Sequence, residues 1–185
     1  MTNKYKNKYR ISSIRLQRWN YSNKAAYFVT ICTFNKEKFF CKILDTQCSI
    51  SKVEVQFTEI GKIVQSEWTK TPSIRPDMNL TLGDYVVMPN HFHGIIIIGK
   101  NNYNQKIQNE EYNHQFGPQR KNLSSIIRGF KSAVTKQARL INPNFSWQSG
   151  FHEHIIRNEN SYNMIVNYII NNPLKWNEDR YYIST

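Results

Sequence analysis

His91 and His93 flank Phe92 in the run Tyr85-Val-Val-Met-Pro-Asn-His-Phe-His-Gly-Ile-Ile-Ile-Ile98, which reads as two apolar strands joined at Pro89-Asn90. Residues i and i+2 of a strand point to one face, so the two imidazoles aim at one spot and Phe92 at the opposite side. Neutral imidazole is the commonest metal ligand, and two of them on a rigid strand can hold a divalent ion. An isolated His-x-His is more often a pair of satisfied histidines at a strand end. The pattern therefore needs partners elsewhere in the chain.

Tyr168 and Asn172 are the first candidates. They are i,i+4 neighbours in the segment Asn160–Pro173, on one edge of the apolar stripe Tyr162, Ile165, Val166 and Ile169. A tyrosine offers a phenol nucleophile, weak at its free pKa of about 10. An asparagine offers a carbonyl oxygen suited to Mg²⁺ or Mn²⁺. Two histidines and an amide oxygen leave positions open on a metal for phosphate oxygens, and such an ion stabilises charge in an in-line displacement at phosphorus. On spacing alone, Tyr168 is one of 11 tyrosines and reads as a half-buried residue at a helix edge. The rival set is His152 and His154, again i,i+2, which with His91 and His93 would make a four-histidine zinc hydrolase site. That arrangement leaves Tyr168 and Asn172 idle. His154 is read instead as a support for the site or a DNA contact, and His152 as exposed.

The elements that must position these groups follow from periodicity and end signals. Ala25–Phe34 is a β-branched and aromatic strand, and residues 36–54 suggest a short hairpin around Asp45-Thr46. Phe57, Ile60, Ile63, Val64 and Trp68 recur at helical spacing, giving a helix over about 58–70 with Thr58 as N-cap and Pro72 as stop. Strands follow at about 80–88 and 92–98, their apolar runs implying burial on both faces. Asn122 caps a helix to about Leu140, built on Leu123, Ile126, Ile127, Phe130, Val134 and Ile141. Phe151–Arg157 is a further strand, and Asn158 or Asn160 caps a last helix stopped by Pro173. The central β-α-β-β-α-β order predicts an α+β, ferredoxin-like antiparallel sheet with two helices on one face, plus an additional C-terminal helix that carries the tyrosine.

Charge narrows the partner. The 185 residues carry a formal net charge of +12, which favours a polyanion such as nucleic acid, and the aromatic content of 14% suits base stacking. No apolar run is long enough to span a bilayer, and the basic N-terminus does not resemble a secretory signal, so a cytoplasmic, nucleoid-associated protein without a membrane partner is expected. The odd set Cys32, Cys41 and Cys48 forms no C-x-x-C and reads as reduced, structural thiols. Residues 1–24 form a basic arm, with Arg10, Arg15 and Arg18 among interleaved Tyr5, Tyr9, Trp19 and Tyr21. Residues 25–185 form one domain, with 99–120 expected as a mobile insertion. Along the helix from Asn122, Lys121, Arg128, Lys131 and Arg139 cluster opposite the apolar stripe, within roughly an 80° arc. Arg10, Arg15, Arg18, Arg128, Lys131, Arg139, His154 and Arg157 are the candidate DNA contacts.

Pro89-Asn-His-Phe-His93 resembles the His-hydrophobe-His motif of HUH single-strand nucleases. Together with Tyr168-Ile-Ile-Asn-Asn-Pro173 it resembles the Y1 transposases of the IS200/IS605 type, and most closely the REP-associated tyrosine transposases. The likeness runs through about residues 10–180, including Arg15-Leu16, Tyr27-Phe-Val-Thr-Ile31 and Phe151-His-Glu-His-Ile-Ile-Arg-Asn-Glu159. The resemblance implies His91, His93 and Asn172 as ligands of Mg²⁺ or Mn²⁺ and Tyr168 as nucleophile. The implied reaction is cleavage and rejoining of hairpin-forming, repeat-containing single-stranded DNA through a 5′-phosphotyrosine. Asn172 stands where IS200/IS605 enzymes carry Gln, which departs from a mobile-element pattern. The family includes monomers and homodimers. A non-catalytic module that binds single strands on a ferredoxin-like sheet is the alternative outside that family.

Overall fold

The computed structural model describes residue 16 and residues 19–45, 53–105 and 120–183. Four strands form one antiparallel sheet: β1 (Ala25–Cys32), β4 (Leu80–Val87), β5 (His91–Ile98) and β6 (His152–Ile156), in the spatial order β4-β5-β1-β6. The hairpin read near Asp45 is present as β2 (Cys41–Asp45) paired with β3 (Val53–Phe57) in a separate two-stranded sheet. Removing that hairpin leaves β1-α1-β4-β5-α3-β6, with α1 at Glu59–Thr69 and α3 at Leu123–Ile141. This is the ferredoxin-like order, in which the last strand pairs with the first. The final helix, α4, spans Glu159–Asn171 and follows the sheet as an addition.

Local signals explain the boundaries. The Thr58 hydroxyl accepts from Gly61 N at 3.0 Å and starts α1. Asn122 and Ser125 satisfy each other's backbone N–H groups in a capping box that starts α3. Asn158 accepts from Ser161 N at 2.8 Å and starts α4. α1 ends at Thr69 with Lys70 as C-cap, within the bounds read from the sequence, but Pro72 itself is not left in a loop. It sits in the first turn of a short further helix, α2 (Thr71–Ile74), where a missing N–H has no intrahelical acceptor to lose. Pro173 does stop α4, and a 3₁₀ turn over Pro173–Glu178 carries the chain on.

Alternation along the strands divides the sheet into two faces. Tyr27, Val29, Ile31, Phe92, Ile96 and Ile98 pack against α1 and α3 in the main core, where Phe92 meets Trp68 at 4.7 Å and Phe130 at 5.6 Å between ring centres. Gly94 permits that closeness, since a Cβ there would lie 2.9 Å from the Trp68 ring. On the other face Ile95 and Ile156 pack with Ile169 of α4, flanked by Phe28, Tyr162, Ile165 and Val166. The sheet is thus covered on both sides, and His91 and His93 emerge on the α4 face.

The basic arm read at 1–24 falls largely outside the described residues, as do Arg10, Arg15, Arg18 and Cys48. Of its aromatic residues, Trp19 donates from Nε1 to Tyr27 Oη at 3.1 Å and Tyr21 is buried beside Tyr27, so both rings anchor this segment to the core. Residues 106–119 of the expected insertion are also outside. At its start, buried Asn101 donates to Met78 O at 3.0 Å, which ties the turn after β5 to the segment before β4.

Candidate active site

β5 lies between β1 and β4, so hydrogen bonds on both edges fix His91 and His93 in register with Cys32 and Thr30. Both histidines are fully buried. The Asn90 side chain determines the tautomer of His91. Its Nδ2 donates to the carbonyls of Lys36 (3.0 Å) and Tyr181 (2.8 Å), so its Oδ1 faces His91 Nδ1 at 2.9 Å as an acceptor. His91 therefore carries its proton on Nδ1 and its lone pair on Nε2. That Nε2 is buried and has no hydrogen-bond partner among the described residues. His93 contacts Thr30 Oγ1 through Nδ1 at 2.8 Å, and its Nε2 lies 3.2 Å from Tyr168 Oη. Phe28 stacks on His93 at 5.2 Å and meets Tyr168 edge-on at 6.0 Å, so one ring braces both.

A carboxylate completes the cluster. Asp179 and the two histidines offer ligand atoms that all lie within 4.8 Å of one another. Asp179 follows the 3₁₀ turn, which buried Trp176 anchors, and its Oδ1 accepts from Tyr181 N at 2.6 Å. The Tyr181 ring packs on His91 at 4.6 Å and holds the segment against the site. Asn172 is buried and donates from Nδ2 to Asp179 Oδ2 at 3.2 Å. That bond assigns its amide orientation and leaves Oδ1 as a buried acceptor with no partner among the described residues.

Electrostatics match a cation-ready site. Burial, with Arg180 and Lys36 nearby, pushes His91 down to about 3. Burial and the neighbouring His91 hold His93 well below its usual range, against the pull of Asp179. Both imidazoles are therefore neutral at pH 7 and keep a lone pair. The Tyr168 phenol is raised by burial and by the Asp179 charge. Cys32, opposite His91, is pushed up to about 11 by burial and lies outside the ligand cluster. Two buried, unpartnered lone-pair atoms (His91 Nε2 and Asn172 Oδ1) beside a carboxylate and a second imidazole fit a divalent metal.

No protein-family model matches the chain. An uncharacterized protein of Haemophilus influenzae (strain ATCC 51907 / DSM 11121 / KW20 / Rd) is 37% identical over 177 residues, covering 92% of each chain. This chain belongs to that protein's family. Among solved structures, a REP-associated tyrosine transposase bound to a REP hairpin is similar with a TM-score of 0.54 and 22% identity, over 90% of this chain and 74% of that one. At that identity the likeness is one of fold, and the fold is Y1-transposase-like.

The sequence-derived residues fall into three groups. His91, His93 and Tyr168 come together on the α4 face, and Asn172 joins them through Asp179. His152 and His154 share that face but are exposed, on the far side of β1. Thr30 pairs in register with both His93 and His152, so the strand between them keeps the four histidines apart. Among the basic candidates, Arg128, Arg139 and Arg157 are exposed. Lys131 is engaged internally: its ammonium donates to the carbonyls of Gln148 (2.6 Å) and Gly150 (2.8 Å), and burial lowers its pKa to about 8. Sequence reasoning missed Asp179, Asn90 and Thr30. The only signals for Asp179 were the aromatic residues Trp176 and Tyr181 around it, which anchor a segment that otherwise reads as a tail.

Proposed function

We propose that this protein cleaves and rejoins single-stranded DNA by transesterification, with Tyr168 as nucleophile and hairpin-forming repeats as substrate. The observation that carries the reading is the Tyr168 hydroxyl 3.2 Å from His93 Nε2, at the edge of the His91–His93–Asp179 cluster. The fold likeness to a transposase solved with a REP hairpin and the net charge of +12 support it.

His91, His93, Asp179 and Asn172 would hold Mg²⁺ or Mn²⁺, which when bound polarises a phosphodiester and neutralises charge developing on its oxygens. Tyr168 Oη attacks phosphorus, the P–O3′ bond breaks, and a 3′-hydroxyl leaves while the 5′-phosphate stays on the phenol oxygen. One phosphodiester replaces another, so the reverse attack by a 3′-hydroxyl rejoins strands without ATP. Burial and the Asp179 charge keep the Tyr168 phenol protonated at neutral pH in the free protein. Thr30 and Asn90 orient the two imidazoles. Exposed Lys175 and Arg180 are placed to meet strand phosphates. Residues 1–24 would add a basic arm along the strand.

The test is incubation with end-labelled single-stranded hairpin DNA and Mn²⁺, followed by a denaturing gel. A covalent protein–DNA adduct that Tyr168→Phe abolishes is the expected result. Binding with no adduct across varied hairpins indicates a non-catalytic module. Metal-dependent hydrolysis indifferent to Tyr168→Phe indicates a hydrolase.

A further inference from the structure

The turn that follows β1, at Phe34–Lys36, puts two successive residues in the left-handed region, Asn35 at φ 51° and Lys36 at φ 55°. Asparagine visits that region readily, but for lysine it is sterically costly. Such a residue persists where its surroundings over-determine it, as at ligand clamps. Both ends of Lys36 are engaged. Its carbonyl accepts from Asn90 Nδ2 at 3.0 Å, and its ammonium donates to Arg180 O at 3.1 Å and stands 5.7 Å from the centre of the Tyr181 ring. Asn90 Nδ2 also donates to Tyr181 O at 2.8 Å, so the two carbonyls that follow Asp179 are fixed by Lys36 and by its partner Asn90. The same segment holds the carboxylate, through Tyr181 N on Asp179 Oδ1 at 2.6 Å. Lys36 thereby touches both carriers of the cluster, His91 through Asn90 and Asp179 through Arg180.

We propose that Lys36 is a positioning residue for the metal site: its ammonium draws the Asp179–Tyr181 segment toward the turn and so sets the distance between the Asp179 carboxylate and the two imidazoles. The inference rests on the reading of His91, His93 and Asp179 as a metal site and deepens it. The Lys36 carbonyl serves the histidine side, and any residue that accepts the left-handed backbone supplies it. The ammonium serves the carboxylate side, and only a long cationic side chain supplies it. Substitution therefore separates the two ends.

The test is a double-mutant cycle in the full chain, with Mn²⁺ affinity read by calorimetry in the absence of DNA. Lys36→Gly removes the ammonium, keeps the carbonyl and adopts the left-handed backbone without steric cost, and circular dichroism checks that the variant is folded. The expected result is about a tenfold loss of Mn²⁺ affinity in Lys36→Gly, against about twofold or less when the same change is made in Asp179→Asn. Lys36→Arg, which keeps a cation within reach of the Arg180 carbonyl, should recover most of the loss. Unchanged affinity in Lys36→Gly, the same tenfold loss in both backgrounds, or no recovery in Lys36→Arg overturns the proposal. No Mn²⁺ binding by the unmodified chain overturns it together with the metal site. Mn²⁺ binding without any DNA adduct counts against the transesterase reading alone.

Discussion

Tyr168 Oη and His93 Nε2 share a hydrogen bond of 3.2 Å, so the proposed nucleophile occupies the lone pair that a metal ion would use. The two roles compete in the free protein. Tyr168→Phe removes that competitor without unpacking the ring, which stays against Phe28 and His93. The variant should therefore lose the covalent adduct, by at least about a thousandfold, as removal of a nucleophile does. Its Mn²⁺ affinity by calorimetry should equal or exceed that of the unmodified chain. A large fall in Mn²⁺ affinity would show that the phenol is itself a ligand.

The buried imidazoles make stability depend on pH, with a definite sign. An unfolded His91 takes up a proton below about pH 6.5, and the folded one resists it down to about 3. The unfolded state binds more protons throughout that window, so stability rises with pH across it. The contribution is fully present above about 6.5 and is lost as the pH falls toward 3. Between pH 6.5 and 5 the loss is about 2 kcal/mol for one such histidine. Urea midpoints of the metal-free protein should fall accordingly, and His91→Gln should flatten the slope by about one proton. An unchanged slope in that variant would place the proton uptake elsewhere.

Asp179 was illegible in the sequence for a physical reason, and so were the limits of the basic helix face. The β5 run, the Asn122 and Asn158 caps and the stripe on α4 are local signals, and each appears where periodicity placed it. Local signals also placed Tyr168 and Asn172 on the helix that crosses to the histidine face. Asp179 reaches the cluster only because the 3₁₀ turn begun at Pro173 is followed by the packing of Tyr181 on His91, and that packing is long-range. Lys131 lies on the basic arc of an isolated helix, but the chain at 148–150 returns over it and takes up its ammonium. A helical wheel contains no information about which loop will come back.

Asn90 should matter more than its size suggests. It bonds His91 Nδ1 and, through Nδ2, the carbonyls of Lys36 and Tyr181, all in a fully buried position. Asn90→Ala leaves His91 Nδ1 and the Tyr181 carbonyl, both in buried bonds, and the part-buried Lys36 carbonyl without this partner, at about 1–3 kcal/mol for each that water cannot reach. It also frees the His91 ring to change tautomer, which for outer partners of metal ligands lowers metal affinity 10–100-fold. Thermal melting and Mn²⁺ titration should both register the change. Thr30→Val, which removes only the His93 contact, should lower metal affinity with a smaller drop in melting temperature.

The Asp179 carboxylate should act on both halves of the site. Its charge raises the Tyr168 phenol and is shared with the histidines and with Asn172 Nδ2. Asp179→Asn should weaken Mn²⁺ binding by roughly tenfold or more, since a ligand charge is lost. It should also bring the Tyr168 phenol down toward its usual range, as seen by NMR of ring-labelled tyrosine. Weaker metal binding with an unmoved phenol would mean that burial alone sets the Tyr168 pKa.

Lys131 and Arg157 separate an internal cation from a surface one. The Lys131 ammonium is fixed by two carbonyls and lies 5.9 Å from the centre of the Trp147 ring, so it holds the segment before β6 against α3. Arg157 is exposed just past the end of β6, on the sheet edge that bears His152 and His154. A cation that contacts DNA phosphate releases counterions, and its removal lowers the slope of log affinity against log salt by about one. Arg157→Gln should reduce that slope and leave the melting temperature nearly unchanged. Lys131→Met should lower the melting temperature and leave the slope as it was. Swapped outcomes would return Lys131 to the DNA-binding face, and a slope unchanged in both variants would place the strand away from β6.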